Sequence, residues 1–166
     1  MRFRARIVPL VAIAAAAWPA LTLLGRCLSR PASFDHLDYT LYYAFALQAL
    51  QGGWHRLYDL DLQRATFRAI SPGLGWFPTV YTPAMAVFMV PFALLPLDVG
   101  YRIWAALLCA SYVGSGVALA PGAALEKTAH VALSLVPYPV ALGLGLGQPI
   151  ALQMAALACA VHLLRR

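Results

Sequence analysis

Charge is scarce in this chain. Charged residues make up 11% of its 166 positions, with six carboxylates and a single lysine, Lys127, beside eleven arginines. So few ionisable groups cannot clothe the surface of a water-soluble domain, whose sequence is usually about 45–50% apolar. Here the apolar share is 62% and the mean hydropathy is +0.73. That is the composition of an integral membrane protein.

Metal-ligand and redox patterns are also missing. Cys27, Cys109 and Cys159 stand far apart without a CxxC pair, and His36, His55, His130 and His162 form neither HxxxH nor HExxH. This spacing argues against a dithiol motif and a protein-held zinc, so no organic cofactor and no protein metal site are expected, while the residues leave a divalent-metal requirement open. The net charge of +6 comes from arginines at the two ends and in one loop, with no basic surface interleaved with base-stacking aromatics. Nucleic acid is excluded as a partner, and membrane lipids with their phosphate head groups are favoured. Apart from Arg102 and His162 near the ends of apolar runs, those runs hold almost no ionisable residues. That argues against the ion pathway of a transporter or channel.

Long apolar runs are what the sequence does have. Arg2, Arg4 and Arg6 precede a run over 7–25. A basic start and an apolar core also open a cleaved signal peptide, but this run is longer than a usual signal core and Arg26 follows it without a small-x-small site. The expectation is a retained first span with a cytoplasmic N-terminus. Residues 26–78 then form an outer loop. Further spans are expected over 80–97, 101–120, 130–146 and 149–164. Pro83 falls in the first turn of one span and Pro91 inside it, residues 98–102 make a tight connection, and Gly114, Ser115 and Gly116 permit close helix packing. Gly147-Gln148-Pro149 breaks the final apolar stretch into two helices. The fold class expected is all-α, a polytopic transmembrane bundle with two short juxtamembrane helices in its first outer loop.

Four of the six carboxylates, Asp35, Asp38, Asp59 and Asp61, gather in or just after the segment SFDHLDYTLYYAFALQALQGGWHRLY. Asp38 suits the N-cap of a helix over 39–51, with Thr40, Ala44, Gln48 and Gln51 as a narrow polar face. With three tyrosines at its start, and too short to cross, such a helix belongs at a membrane surface. Asp59 or Asp61 caps a second helix over 60–70, with Leu60, Phe67 and Ile70 on one side and Arg64 and Arg68 on the other. On local grounds these aspartates are helix caps, Tyr42, Tyr43 and Tyr81 an interfacial belt, Arg64 and Arg68 a head-group-facing side, and Gln148 a partner for backbone groups freed at the break.

The order DYTLYYAFALQALQGG, LYD, VYTPAMAVFMVPFALLPL, a tryptophan in the following helix and then LGQ resembles glycosyltransferase family 87. The positions that carry the resemblance are Asp38, Tyr42, Tyr43, Gly53, Tyr58, Asp59, Tyr81, Pro83, Pro91, Pro96, Trp104, Gly147 and Gln148. It extends from about 34 to 164 and covers the N-terminal part of a longer fold. It therefore implies further spans, or a partner chain that supplies them.

The resemblance implies a C-type membrane enzyme related to polyprenol-phosphate-mannose-dependent mannosyltransferases, in a bacterial-type cell inner membrane. Such an enzyme moves a mannose-like sugar from a polyprenyl-phosphate donor to the hydroxyl of a glycan or glycolipid acceptor on the outer face. It implies an inverting reaction with one general base in the first outer loop, a role that falls to Asp38 with Asp35 as runner-up. Tyr42, Tyr43, Tyr58, Asp59, Tyr81 and Gln148 are the implied substrate-binding positions. Arg56, Arg64 and Arg68 are the nearby cations for the lipid phosphate. The alternative is a non-catalytic fragment or scaffold subunit of a longer transferase. Alternation from a cytoplasmic N-terminus leaves Arg165 and Arg166 outside, against the charge rule, and placing them inside requires a crossing to be reassigned upstream.

Overall fold

In the computed structural model the described residues are 37–134 and 138–164, together with helical positions at 14, 18, 21, 22 and 25. Among them all regular structure is helical. In chain order the helices are α1 (Leu37–Gly52), a 3-10 turn (Trp54–Arg56), α2 (Leu60–Ile70), α3 (Pro83–Ala93), α4 (Leu97–Leu119), α5 (Ala124–Ser134), α6 (Tyr138–Leu146) and α7 (Ile150–Leu164). The chain divides into two compact units, one over Pro31–Trp104 and the other over Met1–Arg30 with Ala105–Arg166. The first span expected over 7–25 and the carboxylate of Asp35 lie largely or wholly outside the described residues.

The first unit is built around α1. The helix is already formed at Leu37, so Asp38 sits in its first turn and is not the N-cap expected from the sequence. Its other expected property, a single polar face, is also absent. Tyr39, Tyr42, Phe45, Ala46 and Gln48 are all buried, and only the end near Leu50 and Gln51 is open. The tyrosines therefore pack against protein on every side, as a helix apolar all round does in a core. The enclosing elements are α2 and α3. Phe45 and Ala49 meet Leu57 and Ala86, while Leu41 and Ala44 meet Phe67, with Ile70, Leu74 and Trp76 packed on that cluster.

Gly53, at φ 86°, turns the chain out of α1, a left-handed conformation that glycine adopts without a Cβ penalty. The Asp59 side chain then caps α2 by accepting from the Leu62 N–H at 3.1 Å, as expected for one of the two candidate caps. Leu60, expected on the inward side of α2, is exposed; the inward positions are Gln63 and Phe67. Pro83 opens α3 and Pro91 lies within it, both as expected.

α4 differs from its expected bounds. Residues 98–102, expected as a connection, are its first turns, and the link from α3 is Leu94 to Pro96. Asp98 in the first turn complements the helix dipole, and Gly100 admits the close approach of Tyr39. At 23 residues α4 is long and apolar enough to cross a membrane. The 11 residues of α3 and the 15 of α7 fall below the roughly 20 that a straight crossing requires.

The second unit holds the rest of α4 with α5, α6 and α7. α5 begins at Ala124, inside a stretch expected to be loop, because the Glu126 carboxylate accepts from the Ala123 N–H at 2.7 Å and secures the helix start. Tyr112 of α4 donates to Ser134 of α5 at 2.7 Å. α6 ends at the expected break. The Gln148 N–H returns to the Gly143 carbonyl at 2.9 Å and the Gly147 N–H to that of Leu144 at 3.2 Å, with Gly147 at φ 82°. These paired bonds around a left-handed glycine are a Schellman stop, and Pro149 ensures that the helix does not continue.

Candidate functional site

Three of the tyrosines singled out in the sequence meet at one place. Tyr42 comes from the second turn of α1, Tyr58 from the turn before α2, and Tyr81 from the non-helical segment ahead of α3. The Tyr42 hydroxyl donates to the Tyr81 hydroxyl at 3.1 Å, with the rings edge-on at 4.8 Å between centroids. The Tyr58 hydroxyl donates to the Tyr81 carbonyl at 2.8 Å. Tyr42 is 1% exposed and Tyr81 is 37% exposed, so the pair runs from the core of the unit to its surface.

Asp38, half-buried and one turn before Tyr42, completes the group. Burial raises the Tyr42 phenol far above its ordinary value, and the donated bond to Tyr81, the charge of Tyr81 and the charge of Asp38 push it the same way. Tyr42 is therefore a neutral donor at physiological pH. A phenol oxygen that already accepts from Tyr42 leaves Tyr81 with its own proton to offer outward. Tyr81 is an exposed hydroxyl donor of the kind that serves a phosphate or sugar oxygen, and Asp38, one turn before its partner Tyr42, is a carboxylate of the kind that serves an acceptor hydroxyl.

Several expected site residues are occupied elsewhere. Tyr43 donates to the Leu95 carbonyl at 2.8 Å and so ties α1 to the end of α3. Arg56 and Asp59 form an ion pair at 2.6 Å, and the hydrogen bond from Arg56 is the main reason the Asp59 carboxyl sits below its ordinary value. The Arg64 guanidinium lies 4.7 Å from the centroid of the Trp76 ring, and Arg68 is on the exposed side of α2. Gln148 belongs to the second unit, at the stop that ends α6.

Two glutamines that were not among the expected site residues organise this region. Gln48, buried on α1, donates to the Arg56 carbonyl. Gln63, 4% exposed on α2, accepts from the Thr79 N–H at 2.9 Å and donates to the Leu57 carbonyl at 2.7 Å and the Thr79 carbonyl at 3.4 Å. The signal for Gln63 was its register, since it stands four residues before Phe67 on the side of α2 that faces inward.

The model of glycosyltransferase family 87 matches residues 79–166. The matched stretch holds Tyr81, Pro83, Pro91, Pro96, Trp104, Gly147 and Gln148 of the residues that carried the resemblance, and begins after Asp38, Tyr42, Tyr43, Gly53, Tyr58 and Asp59. No curated protein and no solved structure matches the chain. Proteins of this family are membrane-embedded, in keeping with the length and apolar character of α4. With more than half of its length covered by the family model, the chain belongs to glycosyltransferase family 87.

Proposed function

We propose that the chain is part of a multi-pass membrane enzyme of the cell inner membrane. It transfers a mannose-like sugar from a polyprenyl-phosphate donor to the hydroxyl of a glycan or glycolipid acceptor on the outer face. Asp38 is the general base, with Asp35 as the other candidate. The observation that supports the reading is the meeting of Tyr42, Tyr58 and Tyr81, with Asp38 one turn before Tyr42 on α1, in a chain of glycosyltransferase family 87.

The step is a displacement at the anomeric carbon. Asp38 takes the proton of the acceptor hydroxyl as its oxygen bonds to that carbon, and the bond to the lipid phosphate breaks, leaving the prenyl phosphate with the electron pair. Tyr81 donates to an oxygen of the departing phosphate, which stabilises charge as it develops. Arg68, exposed on α2, is the nearby cation best placed to meet a phosphate, because Arg64 lies over the Trp76 ring and Arg56 is held by Asp59.

A second reading has its own support, because the family match starts at residue 79 and contains none of Asp35, Asp38, Asp59 and Asp61. On that reading the chain is a non-catalytic scaffold or fragment completed by a partner chain. The test is transfer from a radiolabelled prenyl-phosphate mannose in vesicles carrying the full chain, with and without Asp38→Asn. Loss of transfer with insertion unchanged supports the enzyme with Asp38 as base. Full activity in Asp38→Asn removes Asp38, and no transfer by the unaltered chain favours the scaffold.

A further inference from the structure

Tyr81 lies in a segment with no regular structure to hold it. Residues 75–82 belong to no helix, with Pro78 inside the stretch and Pro83, the first residue of α3, just after it. Its backbone N–H and C=O groups must still find partners wherever they are buried. Thr79 is the buried residue of this segment, while Val80 beside it is exposed. One side chain meets both peptide groups of Thr79, because the Gln63 amide accepts from the N–H at 2.9 Å and donates to the C=O at 3.4 Å.

The same amide donates to the Leu57 carbonyl at 2.7 Å. Leu57 precedes Tyr58, and Thr79 stands two residues before Tyr81. Gln63 thus clips together the two stretches of chain whose tyrosines are themselves joined by the bond from the Tyr58 hydroxyl to the Tyr81 carbonyl. A primary amide supplies two donors and an acceptor in one plane, which is what bridging a peptide group and a second carbonyl requires. Neither a carboxylate nor a thioether can do the same.

We infer that Gln63 is a positioning residue for the site, fixing Thr79 and Leu57 so that the Tyr81 hydroxyl is held between Tyr42 and the substrate. This rests on the reading of the tyrosine cluster as part of the transferase site. Gln63 touches no substrate. It acts through Tyr81, whose hydroxyl would otherwise swing with an exposed loop, and a positioning loss of about 1 Å can lower a rate by roughly a hundredfold.

The test uses the full chain in lipid vesicles with Gln63→Met, which keeps the volume of the side chain and removes its hydrogen bonds, and Gln63→Ala as a second variant. Fluorotyrosine is placed at position 81 or, as a control in the same unit, at position 43. The expected result is a 19F resonance at 81 that broadens or splits in Gln63→Met while that at 43 is unchanged. With a prenyl-phosphate sugar as donor, kcat/KM should fall about tenfold in the unaltered background and at most about twofold in a Tyr81→Phe background, the non-additivity of residues acting in series.

Equal losses in both backgrounds, an unmoved resonance at 81, or equal broadening at 43 would overturn the inference. If the unaltered chain transfers no sugar, the transferase reading fails. The resonance at 81 then decides by itself whether Gln63 holds Tyr81.

Discussion

The Tyr42 hydroxyl donates to the Tyr81 hydroxyl at 3.1 Å across 39 positions of sequence, joining the buried helix α1 to an exposed segment. Removing either partner has a different consequence. Tyr42→Phe deletes the inner donor and should cost about 0.5–1.5 kcal/mol of stability, the usual net worth of one such bond. Tyr81→Phe deletes the outward donor and also the acceptor of the buried Tyr42 hydroxyl, which should cost about 1–3 kcal/mol of stability. It should also lower transfer roughly tenfold to a hundredfold, the range of one hydrogen bond to a charged oxygen. Thermal unfolding and initial rates on the same samples check the contrast, and equal rate losses for the two variants would count against an outward role for Tyr81.

Asp59 has two tasks that a substitution can separate. It caps α2 through Leu62 and pairs with Arg56. Asp59→Asn keeps a capping oxygen and loses the charge, whereas Asp59→Ala loses both, so the melting temperature should fall more in the alanine variant. The Asp59 carboxyl is held below its ordinary value by the bond from Arg56 and then by that from Leu62. A depressed folded value means its contribution is complete above the unfolded-state value and is lost as pH falls through the folded one. The difference in melting temperature between the unaltered chain and Asp59→Asn should therefore be flat at neutral pH and shrink in acid. A difference that grows as pH drops would contradict the assigned pairing.

Local stop and start signals were legible in the sequence because they act within a few residues. Gly53, the Asp59 cap, Pro83 at a helix start and the Gly147-Gln148-Pro149 break all stand where sequence chemistry puts them. The environment of α1 was not legible. Its apolar and aromatic content fits a membrane surface and a protein interior equally, and only the packing of α2 and α3 around it decides. The same limit applies to the site. Tyr42, Tyr58 and Tyr81 were identified as candidates, but their convergence depends on Gln63, whose partners lie 6 and 16 residues away in loops with no periodicity to reveal them. The ion pair of Arg56 with Asp59 went unread because the two were weighed as separate site residues.

Gly147 offers a test of the helix stop in the second unit. Its φ of 82° lies in the left-handed region, where a Cβ costs about 1–2 kcal/mol and asparagine is tolerated better than other side chains. Gly147→Ala should lower stability by about that amount and Gly147→Asn by less. Equal effects of the two, measured by thermal unfolding in detergent, would mean that the stop does not depend on this conformation.

Gly100 lies where α4 leaves no room for a side chain beside Tyr39. A Cβ built on Gly100 would run into the Tyr39 hydroxyl and stand 2.9 Å from the Phe92 carbonyl oxygen. Gly100→Ala should therefore cost about 1–3 kcal/mol, as overpacking does. The Tyr39 hydroxyl is itself fully buried and finds no hydrogen-bond partner among the described residues, a state that costs about 1–3 kcal/mol. Tyr39→Phe should then be neutral or stabilising, and it should ease Gly100→Ala by removing one of the two clashes while the Phe92 carbonyl preserves the other. Burial, followed by the charge of Tyr43, raises the Tyr39 phenol well above its ordinary value. A raised folded value makes its contribution complete below the unfolded-state value of about 10 and lost as pH climbs beyond it. Tyr39→Phe should consequently move the alkaline unfolding midpoint upward, and a downward shift would show that the hydroxyl has a partner that stabilises it.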